Sequence, residues 1–405
     1  MVSILLFLTA MLASSVAYPL VLHYAKRHNI VDNPNTRKLQ RVPVPVLGSV
    51  VVYIGIVAGI TVLFAFVKDP VLIWGFLAMT ILMLIGIWDD IQDLSATLRF
   101  LVEITIVLLF ILMTGVYIDD FHGLFGIHVL PPWFGLSFSV FCGVGVINAV
   151  NMIDGVDGYS SGYGMMACLL FALTFHSVWS QTMVSMAVIT VGALLPFFMH
   201  NVFGVRSKMF MGDGGTLMLG MIMVVFLFFA LSSKTYCNKL EVVNISLPGL
   251  SLAVLSIPVF DTLRVMTMRI LRGKSPFRAD KTHLHHLFID MGFSHLGAAL
   301  SILLVNFSVV LLWFVSWQLG ASIEVQFYVS AGLGVFTTFI FYKVMKAQQN
   351  SGPLDDDGYP QGTALWHWFR YLGHLSHREK GRVWRFLRWL MDSRSISRRL
   401  SRILH

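Results

Sequence analysis

The chain has 405 residues, 56 % hydrophobic and only 12 % charged, with a formal net charge of +8. Apolar runs long enough to cross a bilayer recur from end to end, and no soluble core absorbs that many, so a soluble globular protein is excluded. The cysteines, Cys142, Cys168 and Cys237, are scattered without disulfide or zinc-ligand spacing and read as packing residues.

In chain order the expected spans are 2–22, 46–67, 71–88, 100–118, 132–150, 162–179, 182–200, 214–232, 247–267, 296–318 and 325–343. The first run has no basic region ahead of it and no small-residue cleavage site, so it is expected to stay as a span. Basic residues then set the orientation. Lys26, Arg27, Arg37, Lys38 and Arg41 follow the first span, Arg206 and Lys208 the seventh, and Arg264 to Lys281 the ninth. The alternate loops are nearly free of positive charge, Lys234 and Lys239 excepted. The expectation is an all-α polytopic protein of about 11 transmembrane helices, amino terminus out and carboxyl tail in. Residues 1–343 form the multi-span unit and 344–405 a cytoplasmic linker and tail.

Four polar clusters then fall on the cytoplasmic face. Any one aspartate among them reads most simply as a solvated loop residue or span-end anchor; four clusters on one side do not. Asp89 and Asp90 close an apolar span and call for a nearby cation; Asp93 follows three or four residues on, and Arg99 stands one or two turns further as a partner. The bland reading is an ion-paired helix end. Asn148, Asn151, Asp154 and Asp157 recur at steps of three, with Gly155 and Gly158 permitting tight turns. Their oxygens suit a hard cation, and amides that begin inside an apolar run argue against a plain capped loop.

The third cluster, Lys208 to Thr216, sets Asp213 among glycines before an apolar helix, where open backbone N–H groups would receive a phosphate or its metal. Phe210 reads as a base-stacking ring or an interfacial anchor. The fourth, Arg278 to His286, joins cations to His283, His285 and His286 and suits a diphosphate. A structural zinc site lacks a nearby cysteine, and there is no His-Glu-x-x-His run.

In this order, Asp89-Asp90-x-x-Asp93, Asn148-x-x-Asn151-x-x-Asp154-Gly-x-Asp157-Gly, Phe210-Met-Gly-Asp213-x-Gly215 and His283-x-His285-His286 resemble the polyprenyl-phosphate N-acetylhexosamine-1-phosphate transferases. Upstream, the stretch from Asp32 to Gly48 looks like that family's first cytoplasmic loop, so the likeness runs from about residue 30 to residue 292. Gln40 stands where the family often has histidine, Gly48-Ser49 replaces a glycine pair, and Thr216 takes a usual serine position.

The resemblance implies that a lipid phosphate attacks the β-phosphorus of a UDP-N-acetylhexosamine, giving lipid-diphosphate-sugar and UMP, the first step of a lipid-linked cell-envelope glycan. It implies Mg²⁺, with Mn²⁺ as a substitute, held by Asp213 and Asn151. Asp89, Asp90 and Asp93 would be catalytic, the first two orienting or deprotonating the lipid phosphate. Asn148, Asp154, Gly155, Asp157, Asn201, Lys208 and Phe210 would hold the nucleotide sugar. Arg278, His283, His285 and His286 would hold diphosphate and sugar, and Arg37 and Lys38 would line the lipid-phosphate loop. A two-step path through a phosphorylated aspartate stays open. The implied setting is a bacterial inner membrane, multi-pass, with undecaprenyl or another polyprenyl phosphate as acceptor; a homodimer is left open.

Asp93 and the histidines interrupted by Leu284 look like the hexosamine-phosphate branch rather than the muramoyl-pentapeptide branch, which stands as the alternative. N-acetylglucosamine is the expected sugar. The rival of a different class is a transporter, but carriers place polar groups near mid-membrane in repeated halves, and no repeat is visible here.

The tail changes composition. Asp355 to Pro360 reads as a solvated linker; beyond it Trp366, Trp368, Trp384, Phe386 and Trp389 interleave with Arg370, Arg382, Arg385 and Arg388. A helix of that kind is expected on the inner leaflet, held by anionic lipids, and a nucleic-acid role is not.

Overall fold

Inside a bilayer every backbone polar group needs an internal partner, so long apolar runs become helices. The computed structural model describes residues 2–33, 42–276, 282–353, 361–376 and 382–392. In chain order these form α1 (Val2–Arg27), β1 (Val31–Asp32), β2 (Val44–Pro45), α2 (Gly48–Phe64), α3 (Pro70–Gln92), α4 (Ala96–Thr114), α5 (Pro132–Asn151), α6 (Tyr159–Ser177), α7 (Gln181–Phe203), α8 (Gly212–Ala230) and α9 (Leu247–Leu271). There follow α10 (Leu284–Asp290), α11 (His295–Gln318), α12 (Ile323–Val335), α13 (Phe341–Gln349), α14 (Ala364–Leu375) and α15 (Arg382–Asp392). A π-turn over Phe336–Ile340 joins α12 to α13.

A helix stands at each of the expected spans, and among the described residues nine are long and apolar enough to cross a membrane. The two that fall short are α2, only 17 residues long, and α6, which opens on the polar Tyr159-Ser160-Ser161. The starts follow from side chains that cap free amides: Asp69 accepts from Val71, Ser95 from Leu98, Ser246 from Gly249 and Ser294 from Gly297.

Around α8 the bundle closes. Of its apolar stretch 94 % is buried inside the protein, against 28 % for α1 and for α4, which makes α8 the hub and leaves the other two a wide lipid-facing side. Helix α3 packs along one side of α8 and α5 along another, while α1, α2, α6 and α7 form a neighbouring group and α9, α11 and α12 a third. Close approach of α3 to α8 depends on Gly86, where a Cβ would strike the backbone of Asp213 and Gly214. β1 and β2 pair antiparallel, Val31 opposite Pro45, and the strand pair is stitched to the start of α8: Phe210 N–H donates to Pro45 O at 2.8 Å and Gly48 N–H to Phe210 O at 2.9 Å. The ends of α1, α3, α5, α7 and α9 and the starts of α2, α4, α6 and α8 thereby share one face.

Candidate active site

On that face lies a cavity of about 780 Å³ between the ends of α3 and α5 and the starts of α4 and α8. Asp89, Asp90, Asp93, Asn151, Asp154, Gly155, Asp157, Asn201, Phe210, Asp213 and His286 all line it, so residues from all four sequence clusters converge. Asp89 is buried; its carboxylate accepts the Leu94 N–H at 2.7 Å and the Arg99 guanidinium at 2.9 Å. The same Arg99 nitrogen donates to Asp213 at 3.2 Å, and the other Asp213 oxygen accepts from the Asn151 amide at 2.9 Å. Asn151 is held in turn by Thr216 Oγ1 at 2.8 Å.

Two sequence expectations change in detail. Amides at the start of α8 were expected to lie open to a phosphate, yet Asp90 accepts from Asp213 N–H at 3.0 Å and Gly214 N–H at 3.3 Å, so a side chain from α3 caps that end. Asp93 would share the face of Asp89 and Asp90 if the helix continued; α3 stops at Gln92, and Asp93 takes a left-handed conformation (φ 47°) at the exposed rim.

Beyond Asn151 the chain turns through Asp154, Gly155 and Asp157. Asp154 opens onto the cavity, yet the protein mass around it, with the Asp213 and Asp157 charges added, pushes its pKa up to about 7 against the Ser160 hydroxyl bonded at 2.5 Å. Burial would also raise Asp157, but His295 at 3.0 Å and Lys208 at 2.6 Å outweigh it and hold that carboxyl below its ordinary value. Lys208 also sits 5.4 Å over the Phe210 ring. Asn201 ties this turn to the next loop, accepting from Gly158 N–H at 2.7 Å and donating to Met209 O at 3.0 Å.

The histidines divide. His286 faces the cavity, whereas His283 and His285 are buried behind it. His283 bonds Asp261 at 2.9 Å, and His285 packs against Gly155, stacked on His283 at 5.8 Å and tilted to His286 at 4.4 Å between ring centres. Burial first, then the neighbouring His286 and His283, depress the His285 pKa well below the usual imidazole range, so it stays neutral. Asn148 lies one turn above Asn151, bonded to Glu103 rather than facing the cavity. Arg37, Lys38 and Arg278 lie outside the described residues.

Three contributors escaped the sequence reading. Glu103 lies 3.7 Å from Arg99, His295 contacts Asp157, and Asp261 joins Arg264 at 2.6 Å to the backbone of Leu284 and the His283 ring. Glu103 and Asp261 had a signal, since a lone acid inside an apolar span needs a partner. His295 had none.

Seven carboxylates, those of Asp32, Asp89, Asp90, Asp93, Asp154, Asp157 and Asp213, line one cavity, and among the described residues Arg99 is the one guanidinium lining it with them. This donor set of hard oxygens with too little positive charge fits a Mg²⁺ ion bound with phosphates. On the opposite face Asp120, His122 and Glu241 also come together; there the Asp120 bond to the His122 backbone shapes the α4–α5 loop, and the His122–Glu241 bond of 2.5 Å ties it to the α8–α9 loop.

Residues 72–231 match the family described as glycosyl transferase family 4. The chain is 31 % identical over 278 residues to the undecaprenyl-phosphate alpha-N-acetylglucosaminyl 1-phosphate transferase of Escherichia coli strain K12, covering 67 % of this chain and 72 % of that protein. Against the probable undecaprenyl-phosphate N-acetylglucosaminyl 1-phosphate transferase of Bacillus subtilis strain 168 it is 30 % identical over 303 residues, 74 % and 81 % of the two chains. The Yersinia pestis protein of the former name is 29 % identical over 280 residues, 65 % and 71 %.

Proposed function

We propose that this chain, which belongs to the polyprenyl-phosphate N-acetylhexosamine-1-phosphate transferases of glycosyl transferase family 4, draws its sugar phosphate from a UDP-N-acetylhexosamine held in the polar cavity. It is a multi-pass membrane glycosyl-1-phosphate transferase that passes N-acetylglucosamine 1-phosphate to undecaprenyl phosphate. The observation that carries the assignment of the site is the meeting of Asp89, Asp213 and Asn151 around Arg99 at the mouth of α8.

In this reading the uridine end lies by Asp154, Gly155, Asp157 and Phe210, with Lys208 and His286 toward the diphosphate. Asp213 and Asn151 would hold Mg²⁺, which when bound supplies charge neutralisation on the phosphates. Arg99 draws the acceptor phosphate toward Asp89, and Asp89 orients it or takes its proton. The phosphate oxygen then bonds to the β-phosphorus as the bond to the bridging oxygen of the α-phosphate breaks, and UMP leaves with that electron pair. Positioning and charge balance do most of the work in such transfers. The paired contacts of Asp90 assign it to holding the start of α8 in place.

The acceptor chain has a place to lie. An apolar groove of about 720 Å³ runs between α4, α5, α8 and α9, lined by Phe100, Ile104, Phe138, Phe141, Leu255 and Met266. Asn148 borders this groove while Asn151, one turn along α5, borders the polar cavity, so a lipid in the first would present its phosphate to the second. The cytoplasmic location of the site in a bacterial inner membrane is supported by Lys26, Arg27, Arg206, Lys208, Arg269, Arg272 and Lys274, which gather on the cavity's face.

The test is UMP release by the purified protein with undecaprenyl phosphate, a panel of UDP-sugars and Mg²⁺. UDP-N-acetylglucosamine is expected to be the preferred donor, and Asp213→Asn to lower release by at least about a hundredfold. Normal turnover by a folded Asp213→Asn protein would remove Asp213 from the centre.

A further inference from the structure

The α7–α8 loop carries Phe210 to the cavity wall and Lys208 to Asp157, which lines the cavity, and its far side is gripped by the carboxyl tail. At the end of α15, one Asp392 oxygen accepts three successive backbone N–H groups, those of Val205 at 3.0 Å, Arg206 at 2.9 Å and Ser207 at 3.1 Å, together with the Ser207 hydroxyl at 3.1 Å. The second oxygen accepts from Val205 at 3.1 Å. Successive amides converging on one anion form a nest. A carboxylate in a last helical turn opposes its own helix dipole, so the benefit of Asp392 lies in the loop and not in α15. Eight residues earlier, the Trp384 ring meets Phe203 of α7 edge-on at 4.9 Å and fixes the approach of the helix.

Further along the loop, Asn201 holds Met209 O and the Pro45–Gly48 backbone holds Phe210, whereas the Val205–Ser207 turn has other partners. Tyr18 donates to Ser207 O at 2.8 Å and Lys26 to Arg206 O at 2.7 Å, both from α1, and His200 meets the Ser207 hydroxyl at 3.1 Å. The next residue is Lys208, bonded to Asp157, and Phe210 follows at the cavity wall. A shift of the Val205–Ser207 turn reaches Lys208 at the next residue, and reaches Phe210 three residues on against the Pro45 and Gly48 bonds that hold it.

We propose that Asp392 is a positioning residue: by filling the nest at Val205–Ser207 it sets the α7–α8 loop so that Lys208 and Phe210 meet the nucleotide sugar. This rests on the assignment of Lys208, Asp157 and Phe210 to that ligand. The tail helix is then part of the donor site's support, although it lies far along the chain from every sequence cluster.

Steady-state kinetics on the full-length protein test it. Asp392→Ala is expected to raise KM for UDP-N-acetylglucosamine by at least about fivefold with kcat and the undecaprenyl phosphate KM within about twofold of the parent. Added acetate, entering the emptied nest, is expected to bring the donor KM back toward the parent value; Asp392→Asn, which keeps an acceptor oxygen, is expected to fall between. Trp384→Ala, which loosens α15 without touching the nest, is expected to act in the same direction and serves where Asp392→Ala does not fold. Donor KM within twofold of the parent in both variants overturns the proposal, as does a loss of kcat and thermal stability with KM unchanged. Lys208→Ala separates the two readings. If it leaves donor KM unchanged the nucleotide assignment falls; if it raises KM while the tail variants do not, only the role of Asp392 falls.

Discussion

Asp90, in the last turn of α3, accepts the backbone N–H of Asp213 in the first turn of α8, 3.0 Å away across 123 residues of sequence. One carboxylate thus caps the helix that carries the central aspartate and fixes its distance from Asp89. Asp90→Ala is expected to cost about 1 to 2 kcal/mol of stability, the worth of a helix cap, and to lower turnover strongly. Asp90→Asn keeps an acceptor for the amides, so its melting temperature should stay near the parent's. Thermal melting and UMP release on both variants check this, and equal melting of the two would remove the capping role.

Arg99 is the cation between Asp89, Asp213 and Glu103, at 2.9, 3.2 and 3.7 Å. Replacing it with Met leaves three carboxylates facing one another and is expected to lower stability in chelator by roughly 1 to 3 kcal/mol. Because the added Mg²⁺ then relieves more repulsion, its stabilising effect should be larger in Arg99→Met than in the parent. Melting curves across a Mg²⁺ titration measure this; an unchanged metal-induced shift contradicts it.

Gly155 has no room for a side chain, since a Cβ there would enter the His285 ring. Gly155→Ala is expected to displace that ring and the turn beside it, destabilising by about 1 to 3 kcal/mol and raising the donor KM. Adding His285→Ala should recover part of the melting temperature, because the two substitutions share one clash. A double variant no more stable than Gly155→Ala alone would place the strain elsewhere.

His285 also gives a signed pH dependence. Burial, then His286 and His283, hold its folded pKa well below 6.5, so protonation favours the unfolded chain. Its contribution is fully present above about pH 6.5, the unfolded value, and is lost as the pH falls below it. The melting temperature of the parent should therefore drop more steeply between pH 7 and 5.5 than that of His285→Gln. Parallel slopes for the two proteins would rule out a neutral buried imidazole.

The four clusters were legible because polar groups at the ends of apolar runs are costly unless used, and because basic residues gather beside the same span ends. The same logic reached Arg99 as a partner for the aspartates. Glu103 and Asp261 were overlooked although each is a lone acid within an apolar run, while His295 could not have been found: its contact with Asp157 depends on where α11 begins relative to the α5–α6 turn. The tail was read as a membrane-surface helix, with docking onto a partner enzyme left open. Phe386 and Trp389 do remain exposed on α15, but Trp384 and Asp392 point to the α7–α8 loop, a pairing that no periodicity could disclose.

By itself the sequence determined that the chain crosses a membrane many times and that its polar clusters sit at span ends, since hydrophobic run length and the expense of unpartnered polar groups are local properties. Tertiary structure alone decided that Asp90 caps α8 instead of leaving its amides open, that His283 and His285 stand behind the cavity and not in it, and that α15 grips the α7–α8 loop. The first two outcomes turn on how closely distant segments approach, which Gly86 allows between α3 and α8 and Gly155 allows against His285 by lacking a side chain, and the third on where Asp392 meets the Val205–Ser207 amides.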